Sequence, residues 1–147
     1  MNDRYLYRAK RKDDGEWIVG SLIQTSYLGS IRSWISSEQE DKARLREISS
    51  NQAVWRAFEV RTDTICQCTG LKDNNGKLIW ENDIVAYWDS YSTESGLAEA
   101  DCIGKVVWDD ETISFQVTNR LSAESYEVLG DECSVIGNVF DNPELLE

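Results

Sequence analysis

The sequence predicts a mainly β protein built from antiparallel sheets, with a small Src-homology-like barrel in the carboxy-terminal half and one short surface helix. Short runs of aromatic and β-branched residues recur along the chain, and compact turns of Asp, Asn and Gly separate many of them. Helix-start signals predict the short helix at about residues 36–48. With 147 residues, 41% of them hydrophobic, the chain can bury a core without disulfides.

The first predicted elements form a hairpin. Residues 4–10 and 16–23 alternate polar and apolar side chains, and Asp13-Asp14-Gly15 between them is a strong hairpin signal. Residues 27–35 are predicted to form another strand or a hairpin, with Gly29 as a kink, and further strands are predicted at residues 54–60 and 65–68.

The helix predicted at about residues 36–48 is expected to lie on a surface. Ser36 or Ser37 can cap its amino terminus, and acidic residues precede basic ones along it, which suits the helix dipole. Its apolar residues form only a narrow stripe of Ala43, Leu45 and Ile48.

The stretch from Thr69 to Trp88 organises the second half of the chain through two compact turns. Asp73-Asn74-Asn75-Gly76 and Glu81-Asn82-Asp83 are each followed by a short apolar run, and Asn82 is predicted at positive φ. Residues 89–101 contain little apolar content, which predicts a mobile loop. Later strands are predicted at residues 102–108, 112–117 and 134–140, and Pro143 ends the last of them.

Charge divides the chain into two segments. Residues 1–68 carry eleven Lys and Arg against ten Asp and Glu, a net charge of +1, whereas residues 69–147 carry four against seventeen, a net charge of −13. The prediction is an amino-terminal β segment with the helix and an acidic small-barrel segment, packed as one unit because no Gly-, Ser- or Pro-rich spacer separates them. The acidic segment is either a solvated surface or a face that meets a basic partner or imitates nucleic acid.

Residue types disfavour several classes of site. The chain has no His, which excludes a Ser or Cys nucleophile with a His base. Cys66, Cys68, Cys102 and Cys133 are predicted to be buried free thiols, and no metal or cofactor is predicted. The sequence has no apolar run of membrane-spanning length and no signal-peptide pattern, so we expect a cytoplasmic protein without a membrane partner.

Six tryptophans and a run of acids supply the candidate interaction residues. Trp34 and Trp88 border polar segments and are predicted at an interface, together with the acidic residues Asp109, Asp110 and Glu111. The other four are predicted in the core, at positions Trp17, Trp55, Trp80 and Trp108.

Two groups of carboxylates raise the alternative of an enzyme. Asp73, Glu81 and Asp83 lie close in sequence, as do residues 109–111, so an acid/base pair or a Mg²⁺ site is chemically conceivable. These residues occupy turns, however, where Asp accepts hydrogen bonds from the backbone. We therefore predict no catalytic, cofactor-binding or metal residue and no enzymatic activity.

Several short motifs follow one another along nearly the whole chain. Tyr7-Arg8-Ala9 comes first, and the others are Thr69-Gly70-Leu71-Lys72-Asp73 with Asn75-Gly76-Lys77, Glu81-Asn82-Asp83-Ile84-Val85, Gly104-Lys105-Val106-Val107, and the run Val135-Ile136-Gly137-Asn138-Val139-Phe140-Asp141-Asn142-Pro143-Glu144-Leu145-Leu146. In this order they resemble the YopX family of phage and prophage proteins. The chain departs from the family in two places: Asn82 stands where the family usually has Gly, a tolerable change at positive φ, and the segment before Thr69 lacks the usual proline-containing turn.

The resemblance implies a mostly β protein encoded by a bacteriophage or prophage, self-associating in at least some family members, and it supplies no catalytic residue. The favoured function is a non-enzymatic accessory protein in the bacterial host that acts through protein contacts, as a homo-oligomer or with a host or phage protein. The alternatives are an acidic decoy for a host nucleic-acid-binding protein, a carboxylate- or metal-dependent enzyme, and a nucleic-acid-binding module. The last would use Arg8, Lys10, Arg11 and Lys12, although the net charge of −12 opposes contact with phosphates.

Overall fold

A computed structural model of the chain describes residues 3–37, 57–119, 125–127 and 130–147. These residues form eleven β-strands and four short 3₁₀ turns, so the mainly β prediction is confirmed. The chain divides into two compact units, Tyr5–Gln67 and a second unit of Met1–Arg4 with Cys68–Glu147. No helix among the described residues is long and apolar enough to cross a membrane.

The strands are short except in two hairpins. Their bounds are β1 Tyr7–Lys10, β2 Trp17–Tyr27, β3 Ser30–Ser36, β4 Ala57–Val60, β5 Cys66–Lys72, β6 Leu78–Trp80, β7 Asp83–Thr93, β8 Gly96–Asp109, β9 Ser114–Asn119, β10 Ser125–Glu127 and β11 Cys133–Asn138. The 3₁₀ turns are Asp3–Tyr5, Thr62–Thr64, Gly130–Glu132 and Pro143–Leu146.

The unit Tyr5–Gln67 contains an antiparallel sheet in the order β4-β3-β2-β1 with the start of β5 beside β1. Its core residues lie on one side of the sheet because side chains alternate along each strand. Four of them are buried, namely Ala9, Ile18, Ile35 and Val60. The predicted turn Asp13-Asp14-Gly15 joins β1 to β2, with Gly15 at φ 74°, which confirms the first hairpin.

The β2–β3 hairpin confirms the hairpin alternative predicted for residues 27–35 and corrects the role of Gly29. Gly29 is not a kink inside a strand but the second residue of the turn, since Tyr27 pairs with Ser30 across it. Leu28 and Gly29 have φ values of 49° and 82°, the two positive angles that a tight two-residue hairpin requires.

The second unit contains a five-stranded antiparallel sheet in the order β10-β9-β8-β7-β11, and β6 pairs with the second half of β5. The core of the unit consists of Ile79, Val85, Val106, Val117 and Cys133. This sheet occupies the place of the predicted small barrel. Among the described residues no ladder joins the outer strands β10 and β11.

Residues 89–101 are not the loop that the sequence predicted. They form most of the arms of the β7–β8 hairpin, whose ladder continues without interruption from Ile84 opposite Lys105 to Thr93 opposite Gly96. The prediction was wrong because it inferred a loop from low apolar content. A two-stranded ribbon that projects from its sheet buries little surface, so backbone hydrogen bonds and strand-favouring Ser, Thr and Tyr residues can form it without an apolar pattern.

The predicted helix at residues 36–48 is largely outside the described residues. The structure shows only its proposed start, where Ser36 is the last residue of β3 and Ser37 is buried. Ser36 therefore pairs with Ser21 and Ala57 in the sheet.

Candidate functional site

Asp73 lies at the centre of the Thr69–Trp88 stretch and accepts three backbone hydrogen bonds. Its Oδ1 accepts the N–H groups of Asn75 and Lys77 at 2.9 Å each, and its Oδ2 accepts the N–H of Val135 at 2.9 Å. The first two bonds close the turn between β5 and β6, and the third joins that turn to β11. Asp73 is buried, so its carboxylate serves the backbone.

The electrostatics of Asp73 agree with this structural role. Burial of the carboxyl works to raise its pKa, but the hydrogen bonds from the N–H groups of Val135, Lys77 and Asn75 outweigh burial and hold the pKa below its ordinary value. The side chain is therefore an ionised acceptor at neutral pH, not a protonated general acid.

The preceding Thr69-Gly70 pair also has a backbone role. The Thr69 hydroxyl donates to the carbonyl of Ile79 at 2.8 Å and accepts the N–H of Leu71 at 3.1 Å. The β5–β6 register shifts here, and Gly70 has a φ of 81°, a conformation that favours glycine.

The second predicted turn, Glu81-Asn82-Asp83, forms hydrogen bonds to β6, to β8 and to the segment after β11. Asn82 has a φ of 67°, as predicted; its N–H donates to the carbonyl of Val106 at 2.8 Å, and its carbonyl accepts the N–H of Val139 at 3.0 Å. The fully buried Asp83 accepts the N–H of Trp80 at 2.8 Å.

The structure thus assigns the two buried carboxylates of this stretch, Asp73 and Asp83, to turn formation. Across the described ranges no group of three or more Cys, Asp and Glu side chains is arranged to hold a metal ion. The carboxylates of this stretch hold turns and strands in place through hydrogen bonds to the backbone.

The carboxy-terminal motif is built in the same way. The Asn138 Oδ1 accepts hydrogen bonds from the N–H groups of Phe140 at 3.0 Å and Asp141 at 2.9 Å. The Asn142 Oδ1 accepts a hydrogen bond from the N–H of Asn138 at 3.3 Å. A Cβ atom at Gly137 would lie 2.6 Å from the Asn142 Oδ1, so glycine is required there. The motifs singled out in the sequence therefore specify turns and close contacts.

These motifs lie in a region of the chain that matches a known protein family. A family model described as "YopX protein" matches residues 6–147, nearly the whole chain. The chain belongs to the YopX family. Among solved structures, the YopX chain is similar to protein EF1440 from Enterococcus faecalis, with 21% identity, 96% of each chain covered and a TM-score of 0.44. No curated protein matched the sequence significantly.

The two tryptophans predicted at an interface lie in different units of this YopX protein and differ in exposure. Trp88 lies on β7 with 58% of its surface exposed. Trp34 lies on β3 and is half-buried, with the Arg32 guanidinium 5.0 Å from its ring centroid.

Beside Trp88 is an exposed residue that the sequence reasoning missed. Ile103 on β8 is 43% exposed, and it pairs with Ala86 while Trp88 pairs with Asp101. Trp88 and Ile103 are therefore diagonal neighbours on the side of the sheet opposite the core residue Val85. Only the strand register could have revealed this pairing.

The three predicted acidic residues form the turn between β8 and β9. The Asp109 Oδ1 accepts the N–H of Glu111 at 2.9 Å, and this bond lowers the pKa of Asp109. The Asp110 Oδ1 accepts the indole N–H of Trp108 at 2.8 Å. Asp109 and Asp110 thus shape the turn, and Asp110 and Glu111 are exposed at its surface.

The prediction of four core tryptophans succeeds only in part. Trp80 is buried, whereas Trp17 is half-buried. Trp108 is 41% exposed and contacts Phe115 edge to face at 5.1 Å, so its assignment to the core was wrong. It lies one residue from the turn, where the sheet no longer covers it. Trp55 lies outside the described residues.

The four cysteines are buried free thiols, as predicted. Burial, followed by the nearby carboxylates of Asp73, Asp131 and Asp83, raises the pKa of the Cys133 thiol to about 11. The thiol donates to the carbonyl of Gly130 at 3.2 Å.

We expect Cys133 to resist alkylation in the folded protein, because the thiolate is the reactive form and both burial and negative charge oppose it. Timed exposure to iodoacetamide at mildly alkaline pH, followed by peptide mass spectrometry, measures its reactivity in the native protein and in urea. Equal rates in the two conditions would contradict the prediction.

Proposed function

We propose that this protein is a non-enzymatic accessory protein of a phage or prophage that works in the cytoplasm of the bacterial host through protein contacts and associates with itself. Membership of the YopX family supports the phage origin. The observation that carries the contact function is the pair of exposed apolar side chains Trp88 and Ile103 on the outer side of the β7–β8 hairpin.

The physical argument concerns the position of Trp88 within its strand. An exposed tryptophan leaves much of a large apolar surface in water, and tryptophan is the residue type most enriched at the energetic centres of interfaces. Ile103 extends this surface on the neighbouring strand, while the exposed Asp101 opposite Trp88 supplies a polar rim. We call Trp88 and Ile103 the hairpin patch.

The experiment measures the oligomeric state. We expect the protein to sediment as an oligomer, and the double variant Trp88→Ser, Ile103→Ser to sediment as a monomer with an unchanged melting temperature, because neither side chain contributes to the buried core. Leu28→Asn is the matched control, since it removes another exposed apolar side chain at a position where positive φ suits Asn.

Two results would contradict the proposal. One is a protein that sediments as a monomer throughout the micromolar range, and the other is a patch variant that sediments like the parent protein. Adding salt separates this function from that of an acidic decoy, because apolar association persists at high ionic strength whereas binding by charge mimicry weakens.

A further inference from the structure

The sheet of the unit Tyr5–Gln67 has cations and tryptophans on the side opposite its core. In the β1–β2 pairing, Lys10 lies opposite Trp17 and Arg8 opposite Val19, whereas the core residues Ala9 and Ile18 form the pair between them. The same alternation in β3 places Arg32 and Trp34 on that side. Lys12 extends from the end of β1 toward Glu59 on β4. We call this side of the sheet the aromatic–basic face.

The cations of this face lie against its aromatic rings. The Arg8 guanidinium is 4.7 Å and the Lys10 ammonium 5.4 Å from the ring centroid of Trp17. Arg32 is 5.0 Å from the ring centroid of Trp34, and 61% of the Arg32 side chain is exposed. Two separate sites on one face thus combine a flat apolar ring with a positive charge.

We propose that the aromatic–basic face binds single-stranded nucleic acid, with bases stacked on Trp17 and Trp34 and phosphates bound by the adjacent Arg and Lys side chains. Surfaces that bind single strands combine positive charge, which follows the phosphate backbone, with aromatic rings on which bases stack. The partner is single-stranded because bases within a duplex are already stacked and cannot reach the rings.

The distribution of charge supports this partner despite the acidic total. The face contains four cations, Arg8, Lys10, Lys12 and Arg32, against the carboxylate of Glu59, a net charge of +3. Its unit, residues 5–67, has ten Lys and Arg against nine Asp and Glu, so the remaining residues account for the excess of acid. Because the screening length is about 8 Å at physiological ionic strength, a bound phosphate responds chiefly to the charges of this face.

The spacing of the two tryptophans suits a short extended strand. Trp34 pairs with Ile23, which lies six residues along β2 from Trp17. At about 3.3 Å per residue the two rings are therefore about 20 Å apart along the sheet. Several nucleotides can pass between them.

Bases can take the place of the cations on the rings. Stacking of a base on an aromatic side chain is stronger than a cation–π contact at an exposed site. The Arg32 guanidinium also donates to both carboxylate oxygens of Glu59, at 3.1 and 3.0 Å. A base that takes its place on Trp34 therefore leaves Arg32 beside Glu59, at the edge of the site where the phosphates bind.

The test is a fluorescence-polarisation titration of the full chain against labelled oligothymidylate and oligouridylate of about 12 nucleotides at low salt. We expect saturable binding that weakens as salt rises, because released counterions drive it. Trp34→Leu should weaken binding by about 5- to 150-fold, the loss of one stacked base. Arg32→Gln should weaken it and lower the salt slope by about 1.

Three controls accompany these variants. Lys72→Gln and Lys77→Gln remove exposed cations of the other unit and should leave binding unchanged.

Glu59→Gln should strengthen binding. The Glu59 carboxylate forms ion pairs with Arg32 and Lys12, which lower its pKa to about 2, so its removal frees both cations for phosphates. Arg32→Gln changes an exposed side chain, so it tests the face even if a tryptophan variant fails to fold.

Several results would overturn the inference: no saturable binding at low salt, binding unchanged by Arg32→Gln, or an equal loss in the Lys72 and Lys77 variants. Tighter binding of polyglutamate than of the oligonucleotides would instead assign the face to an acidic protein. Because the hairpin patch is on the other sheet, the sedimentation result for the Trp88 and Ile103 variant does not decide this titration.

Discussion

Replacement of Asp73 by Ala is expected to lower the free energy of unfolding by about 3 kcal/mol, because three backbone hydrogen bonds of about 1 kcal/mol each are lost. The variant leaves the N–H groups of Asn75, Lys77 and Val135 without their acceptor. A buried donor that loses its partner costs about 1–3 kcal/mol, and these three lie at the low end of that range because Asn75 and Lys77 are exposed and Val135 is half-buried.

Urea denaturation followed by tryptophan fluorescence measures this loss. Asp63→Ala is the matched control, because its carboxylate is exposed and pairs with the neighbouring Arg61 at the surface, so the unfolding midpoint should change little. If Asp73→Ala unfolds at the same urea concentration as the parent protein, the three hydrogen bonds do not hold the turn.

The pH dependence provides a second measurement of the same group. The folded pKa of Asp73 lies below its value in the unfolded chain, which is about 3.9. Its contribution is therefore fully present above that unfolded pKa and is lost as the pH falls through the folded pKa. We expect the difference in stability between the parent protein and Asp73→Asn to shrink below about pH 4, where the parent carboxylate becomes protonated.

Replacement of Gly104 by Ala is expected to lower the free energy of unfolding by about 3 kcal/mol, at the upper end of the range for overpacked cores. A Cβ atom at this position would lie 2.5 Å from the Val117 Cγ1 and 2.6 Å from the Thr118 carbonyl oxygen. The backbone cannot move away easily, because Gly104 pairs with Val85 on one side and Asn119 on the other.

Thermal unfolding followed by circular dichroism checks this prediction. Glu99→Ala on the same strand is the control, because Glu99 is exposed and faces away from the core. The second substitution Val117→Ala should restore only part of the loss, since it removes the side-chain contact but leaves the Thr118 carbonyl. A Gly104→Ala protein that melts at the parent temperature would show that the sheet accommodates the methyl group.

Both positions lie within the family motifs, and they explain why these motifs identify the fold so well. Asp73 and Asn82 have hydrogen-bond partners on distant strands, and Gly104 and Gly137 allow close approach to neighbouring residues. A motif that specifies turns and close contacts identifies the fold of a family, but it does not indicate which reaction or partner the protein has. The hairpin patch lies outside those motifs or on their edge, whereas the aromatic–basic face includes Arg8 of the motif Tyr7-Arg8-Ala9.

Local sequence was sufficient for the features that local chemistry decides. The hairpin at Asp13-Asp14-Gly15, the positive φ of Asn82 and the burial of four thiols follow from turn preferences and residue polarity. The prediction of a loop at residues 89–101 was wrong because it relied on local apolar content. Pairing between β7 and β8 forms that ribbon instead.

Tertiary structure alone decided which residues share a face and which carboxylates have backbone partners. Val135 donates to Asp73 from 62 positions away, a contact that no spacing rule in the sequence predicts. Trp80 is buried while Trp88, eight residues later, is exposed beside Ile103. The physical reason is that register and sheet order arise from long-range pairing, and burial depends on which face the neighbouring strands then cover.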